Sequence, residues 1–332
     1  MRFPVSLYTS LAKAFIQNAR QGKINFPLVL MLEPTHRCNL DCVGCDRVRL
    51  YDQEHTRDLS LEECLAAVKD AGAPVVTITG GEPTLYKDLK PLASELLRQK
   101  KQIYLCSNGI FTESFIEDFK PSSRLTLNIH LDGLEETHDR IANKPGTFKK
   151  AISTIKKAKQ KGFRVSTNTS VFKNTDDKEL DELFTLLKSL HVNGILISPA
   201  FSYERVENDI FLSKQEAADK FNKMDFKKFP FMSSPLYLDF LTGKRHLRCT
   251  PWGNPTRNPL GWKSPCYLIT ETYYTSYAEM MEKTDWNRYE AGLDPRCKDC
   301  MVHSGFEATV QRIAFSNPKD LLRLLLWNLR KS

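Results

Sequence analysis

The first two hundred positions repeat one theme: a short apolar run, a polar break, then a stretch whose apolar residues fall on one helical face. Residues 4–22 read as a basic amphipathic helix, with Leu7, Leu11, Ala14 and Phe15 on one face and Lys13, Arg20 and Lys23 elsewhere. Leu28–Glu33 reads as a buried strand. Ser60 opens a helix, with Glu63 three residues on completing a capping box. Val75–Thr79 is a second strand, followed by a helix over Leu89–Arg98, and Gln102–Cys106 is a third. Arg124–Leu131 is a fourth strand with a helix over Thr147–Lys161 behind it. Arg164–Val171 is a fifth with a helix over Lys178–Leu190, and Gly194–Ser198 is a sixth. Strands alternating with amphipathic helices imply βαβ units and a parallel sheet. Six units are too few for a closed eight-stranded barrel. The expected fold class is therefore α/β, a partial (β/α)6 barrel over residues 26–200, preceded by the N-terminal helix (1–25).

After Pro199 the rhythm stops. Residues 201–310 are rich in aromatics, Pro and Gly and read as an irregular, cysteine-containing module; residues 311–332 form a tail with a short helix over Leu321–Lys331. In that helix Leu321, Leu325 and Leu329 stand among Arg323, Arg330 and Lys331. No stretch approaches the roughly 18 apolar residues of a membrane span, and no cleavable signal pattern opens the chain. The expected location is the cytoplasm, with peripheral contact at the inner face of a membrane. The chain has 332 residues and a formal charge of +8, but its basic residues are spread along the whole sequence among 40 acids. This favours a solvated surface, and nucleic acid is not an expected partner.

Nine cysteines change the picture more than the charge does. With no secretion signal, metal binding or redox chemistry is a better reading than disulfides. Cys38, Cys42 and Cys45 follow the first strand directly. Three thiolates on a tight loop can hold three corners of a [4Fe–4S] cube and leave the fourth iron open. A zinc site or free reactive thiols are the alternatives. After the second strand comes Thr79-Gly80-Gly81-Glu82-Pro83, whose glycines let backbone approach a ligand and whose carboxylate can accept from an ammonium. Polar residues close the other strands: Ser107 and Asn108, then His130 and Asp132, then Asn168 on the fifth and Ser198 on the sixth. In folds of this kind the βα loops gather the active site at these ends.

The cysteine spacing after strand one and the Gly-Gly-Glu-Pro loop after strand two resemble the radical S-adenosylmethionine (SAM) superfamily. That resemblance implies a [4Fe–4S] cluster on Cys38, Cys42 and Cys45 whose open iron is chelated by SAM. One-electron reduction, from a donor such as flavodoxin or ferredoxin, then gives methionine and a 5′-deoxyadenosyl radical. It also implies that Gly80, Gly81, Glu82 and Pro83 hold the methionyl amine of SAM. Ser107, Asn108, His130, Asp132, Asn168 and Ser198 would contact its ribose and adenine. Each of these has a turn or capping role as its alternative, and His130 stands where relatives often carry Ser.

Cys249, Cys266, Cys297 and Cys300 can close a second [4Fe–4S] site or a zinc site, or serve as packing thiols. Their pattern is similar to the auxiliary-cluster modules of radical SAM enzymes. Longer blocks narrow the resemblance: residues 30–40 (Leu-Met-Leu-Glu-Pro-Thr-His-Arg-Cys-Asn-Leu), 249–256 (Cys-Thr-Pro-Trp-Gly-Asn-Pro-Thr) and 297–303 (Cys-Lys-Asp-Cys-Met-Val-His) look like the hopanoid-biosynthesis family of adenosylhopane synthases. The activity implied is addition of the 5′-deoxyadenosyl radical to the terminal alkene of diploptene, a polycyclic triterpene, followed by gain of a hydrogen atom. Two positions depart from the family pattern: Ser304 stands where a Cys is expected, and Asp46 where a small residue is expected.

Cys106, at the end of strand three, is a candidate hydrogen-atom donor, against a packing role. Cys64, on a helix with Leu61, Leu65 and Val68, reads as core. An insoluble substrate would come from a bilayer, and both terminal helices could rest on it. Phe201, Tyr203, Phe231, Tyr237, Phe240, Trp252 and Trp262 could line an apolar pocket or simply pack. Two other functions fit parts of the pattern. One is hydrogen abstraction from another terpenoid or a peptide. The other is a non-catalytic zinc-binding interaction protein.

Overall fold

The computed structural model describes residues 2–51, 57–203, 205–206, 209–290 and 292–329. Arg330 and Lys331, placed in the tail helix by the sequence pattern, lie outside the described residues. The helices are α1 (Val5–Arg20), α2 (Arg47–Leu50), α3 (Leu61–Ala71), α4 (Leu89–Arg98), α5 (Thr112–Asp118), α6 (Glu135–Ile141), α7 (Thr147–Gln160) and α8 (Asp177–Ser189), then α9 (Lys214–Phe221), α10 (Pro235–Leu241), α11 (Tyr277–Lys283), α12 (Trp286–Glu290), α13 (His303–Ser316) and α14 (Pro318–Leu329). The strands are β1 (Val29–Leu32), β2 (Val75–Ile78), β3 (Gln102–Ser107), β4 (Leu125–His130), β5 (Arg164–Val171), β6 (Gly194–Pro199), β7 (Thr256–Asn258), β8 (Gly261–Pro265) and β9 (Thr270–Tyr274).

The strands form one open sheet in the order β6-β5-β4-β3-β2-β1-β7-β8-β9. The first six run parallel, each beside its neighbour in sequence, as the βαβ pattern predicts. The chain after Pro199 is more regular than its composition suggests. β7 adds in parallel to β1, with Met31 opposite Thr256, and β8 and β9 continue antiparallel to the edge. These strands escape a pattern reading because β7 is three residues long and mostly polar, and β9 is a half-exposed edge strand carrying an exposed Glu271.

Local chemistry explains the helix ends. Ser60 Oγ accepts from Glu63 N at 3.2 Å while Glu63 Oε2 accepts from Ser60 N at 2.8 Å, the expected capping box. Asp139 holds the start of α7, its Oδ1 accepting from Phe148 N at 2.8 Å.

The two faces of the sheet differ because side chains alternate along each strand. Leu105, Leu127, Ile129, Val165 and Ile197 point outward and form the core with Leu92, Ala151, Ile155 and Leu183 of the flanking helices. Cys64 is fully buried in that core, as its helix position predicts. The inner face carries the polar alternates. Its lower rim is closed by α1, whose Leu7 and Leu11 pack on Leu28, Val75 and, from α13, Ala308. The apolar face of α1 is therefore spent within the fold.

Candidate active site

The thiol loop is built as an extension of β1. Glu33, the first residue after the strand, is buried and pairs with buried Arg47 at 2.9 Å, clamping the two ends of the loop together. Arg47 also donates to Tyr267 O at 3.0 Å and stacks on the Tyr267 ring. Asn258 Nδ2 donates to Glu33 Oε2 at 3.2 Å, tying β7 to the same clamp. His36 stacks on Tyr51 with ring centres 3.6 Å apart. Burial holds His36 down to about 4, so its ring is neutral near pH 7. Lys263, only 1% exposed on β8, donates to Tyr267 O at 2.8 Å; burial, and then the Arg47 charge, bring its ammonium down to about 7. The sequence pattern did not select these residues. Their signal is a charge placed in or beside an apolar run, as with Lys263 after Trp262.

Cys38, Cys42 and Cys45 are half-buried on this loop. Burial raises the Cys38 thiol to about 11 and lifts Cys42 further, with the neighbouring cysteines adding to both shifts. The three sulfurs thus share one electrostatic neighbourhood, in which binding iron would replace protons. Cys249, Cys266, Cys297 and Cys300 form a second such neighbourhood. Burial comes first for Cys249, Cys297 and Cys300, followed by the other thiols of the set. Ile269 N donates to Cys266 Sγ at 3.4 Å, and a side chain at Gly305 would come within 2.9 Å of Cys249 Sγ. Among the described residues no three His, Cys, Asp or Glu side chains are drawn tightly enough to hold a single metal ion. A cubane asks for wider spacing, since each cysteine binds a different iron.

The glycines of the Gly-Gly-Glu-Pro loop allow a close backbone approach within the protein. A Cβ on Gly80 would sit 2.4 Å from Thr35 O, and one on Gly81 2.1 Å from Arg37 O. Gly81 N donates to Thr35 O at 3.0 Å and Glu82 N to Arg37 O at 2.8 Å. The close approach is thus between this loop and the thiol loop, which the glycines lock together. Glu82 is 1% exposed. Its carboxylate already accepts from Thr84 N (3.0 Å), Thr84 Oγ1 (2.6 Å), Ser107 Oγ (2.8 Å) and Asn108 N (2.9 Å). Burial raises its pKa and these bonds oppose the rise. Glu82 therefore anchors the β2 and β3 loops, with its remaining acceptor capacity on Oε2. Pro83 begins the short helical turn behind it. Ser107 is buried and hydrogen-bonded to Glu82 and Thr112.

Asn108 Nδ2 donates to Asn39 Oδ1 at 2.8 Å, joining the β3 end to the thiol loop. Asp132 is buried, accepts from Ser170 N at 2.7 Å and pairs with His130 Nε2 at 2.7 Å. Burial opposes protonation of His130, but the Asp132 charge and hydrogen bond outweigh it and raise the imidazole pKa. Asn168 Nδ2 meets His130 Nδ1 at 3.3 Å. Ser198 is buried at the end of β6 against Tyr237. One layer below His130 and Asn168, Cys106, Asn128 and Ser166 lie side by side on three strands. Asn128 Nδ2 donates to Cys106 Sγ at 3.4 Å and Ser166 Oγ to Asn128 Oδ1 at 2.8 Å. Burial pushes Cys106 up to about 11, so it is a thiol near neutral pH.

Two orphans at this rim point to a polar ligand. Asn39 Nδ2 and Asn168 Oδ1 are buried with no hydrogen-bond partner. Beside three thiols, they fit a cluster and a zwitterionic cofactor bound above the inner face. Next to the thiol loop, Asp46, Tyr51, Phe201, Tyr203, Ile269 and Tyr273 help to line a cavity of 310 Å³. A larger depression between α5 and α7 is lined by none of the candidate residues.

An open, mostly parallel sheet with three thiols after its first strand, facing a polar rim, fits an iron–sulfur enzyme that works at the C-terminal ends of its strands. The Radical SAM superfamily pattern matches residues 32–187, and a domain of unknown function (DUF3463) matches residues 195–324. GTP 3′,8-cyclase of Clostridium botulinum (strain Okra / Type B1) is 28% identical over 234 residues, 68% of this chain and 72% of that protein. Fe-coproporphyrin III synthase of Methanosarcina barkeri (strain Fusaro / DSM 804) is 27% identical over 215 residues, 61% of this chain and 53% of that protein. Among solved structures, Streptococcus suis SuiB bound to its precursor peptide SuiA superposes with a TM-score of 0.64 at 16% identity, covering 86% of this chain and 69% of that one. In two further SuiB structures the match spans about half of that chain, 47% and 49%. Native anSMEcpe with bound AdoMet gives a TM-score of 0.56 at 16% identity over 92% of this chain and 100% of that one. Residues 32–187 of the chain thus match the radical SAM superfamily. Its cofactors are accordingly a [4Fe–4S] cluster and SAM.

Proposed function

We propose that the chain is a radical SAM adenosyltransferase acting on the terminal alkene of a hopane-type triterpene, with diploptene as the reference substrate. Cys38, Cys42 and Cys45 would hold the cluster, and the rim of Asn39, Asn108, His130 and Asn168 would hold SAM. Bound there, these cofactors would supply a 5′-deoxyadenosyl radical. The observation that carries the reading is Cys106. It is a thiol held in its protonated form on the inner face, one layer beneath the polar rim, and oriented by Asn128. Addition to an alkene leaves a carbon-centred radical that needs a hydrogen atom, and a thiol S–H directly below can give it. The resulting sulfur radical takes one electron from the external donor and a proton to close the cycle.

The cavity beside the thiol loop is the proposed substrate site; it supports the expectation for Phe201 and Tyr203 among the aromatic candidates. The late cysteines would hold a second cluster. The exposed leucines of α14 would meet the membrane that stores the substrate, at its cytoplasmic face. The test compares wild type with Cys106→Ala, anaerobically reconstituted and supplied with SAM, a reductant and diploptene. Loss of saturated adduct in the variant by roughly tenfold or more, with SAM cleavage retained, is expected. Unchanged yield and stereochemistry of adduct would remove Cys106 from the mechanism.

A further inference from the structure

The cavity beside the thiol loop contains a polar group that the protein leaves unanswered. Asp46 follows Cys45, is 8% exposed and lines the 310 Å³ cavity. Its Oδ1 is buried without a hydrogen-bond partner. Among the described residues no hydrogen bond or ion pair reaches the carboxylate, although its charge is felt at Lys263. A carboxylate withdrawn from water without a donor is costly and persists where something else supplies the donor. The other charged groups on the cavity wall are already engaged. Arg205 Nη1 donates to Arg49 O at 2.9 Å, and Arg296 pairs with Asp294 at 2.8 Å. What remains is apolar: Leu50, Phe201, Leu268 and Ile269 with the faces of Tyr51 and Tyr203.

We propose that Asp46 is a specificity-determining residue whose carboxylate accepts a hydrogen bond from a hydroxyl group on an otherwise apolar alkene substrate. The proposal rests on reading this cavity as the substrate site, and it narrows the substrate class from a hydrocarbon to an alkenol. A neutral hydroxyl suits the site better than an ammonium, because Arg205 and Arg296 share the wall and repel a second cation. A small residue at position 46 would leave the wall without an acceptor and suit a plain hydrocarbon. Asp46 is thus the point at which this chain would select a different member of the same substrate class.

The test uses limonene and carveol, which share an isopropenyl alkene and differ by one hydroxyl. Their dissociation constants are measured by equilibrium dialysis on the anaerobically reconstituted protein. Wild type should bind carveol about tenfold or more tightly than limonene, the discrimination expected of one hydrogen bond to a charged acceptor. Asp46→Gly should bring the ratio to about one without weakening limonene. The nearly isosteric Asp46→Asn, which keeps one acceptor, should give an intermediate ratio. Equal binding by wild type, or a preference that survives in both variants, would overturn the role of Asp46 and leave the cavity as the substrate site. Failure of wild type to bind either compound would overturn the cavity assignment, and the proposal with it.

Discussion

Cys42 takes a larger upward shift than Cys38, because burial and its two neighbouring thiols all oppose its thiolate. That cost is removed only when iron replaces the proton. Cys42→Ala should therefore lose the iron and sulfide of one cluster, and SAM cleavage with it, while any metal held by the late cysteines is retained. Metal and sulfide analysis after reconstitution checks this, and full iron content in the variant would contradict it. Glu307, on α13, gives a pH signature. Burial raises its carboxyl to about 7, against the bond from Ser234 N at 2.8 Å. Its folded pKa lies above its unfolded value, so the native state binds more protons between about pH 4 and 7. Stability should fall as pH rises through that window and then level off. Glu307→Gln should abolish the slope and gain about 2 kcal/mol at pH 8 relative to wild type; chemical denaturation at pH 4.5 and pH 8 reads it. At this scale the thiols were legible in the sequence, because ligands come in spaced sets. The Glu33–Arg47 clamp was not, because the two residues are fourteen positions apart and only the fold shows both buried.

Two terminal helices look alike in sequence and end differently in the structure. Each has an apolar stripe and basic residues, and each was a candidate for a membrane surface. α1 spends Leu7 and Leu11 on the lower rim of the sheet. α14 buries Leu324 and Asn328 and leaves Leu322, Leu325, Leu326 and Leu329 between 41% and 62% exposed. These four recur at helical spacing and form a single stripe. Replacing Leu322 and Leu326 together by Asp should reduce cosedimentation with phosphatidylglycerol vesicles by about tenfold or more, since each buried leucine contributes roughly 1.5–3 kcal/mol to partitioning. Retention of full vesicle binding would assign the stripe to another surface. Periodicity alone could not separate the helices, since it says which face is apolar but not what covers it. The same holds for α5 and α6, whose seven residues each are too few to show a period.

For the molecule as a whole, the six parallel strands were readable because each carries buried apolar residues, in a run or at alternate positions, and most are followed by an amphipathic helix. The continuation through β7–β9 was not, because those strands borrow their pairing from β1 and the edge rather than from their own composition. This continuation places the buried Lys263 on β8, Cys266 directly after that strand, and the Thr270 and Tyr273 part of the cavity wall on β9, in the same sheet as β1 and its thiol loop. The substrate site would thus be formed where the two matched sequence regions meet. The glycine lock between the β1 and β2 loops and the Glu82 anchor between β2 and β3 then hold the rim rigid before any ligand arrives. The most direct measurement is mass spectrometry of the anaerobically reconstituted protein turning over with SAM, reductant and diploptene. The account predicts a product whose mass is the sum of the triterpene and the 5′-deoxyadenosyl group plus one hydrogen. Formation of 5′-deoxyadenosine alone, from a protein that cleaves SAM and binds the triterpene, would contradict it.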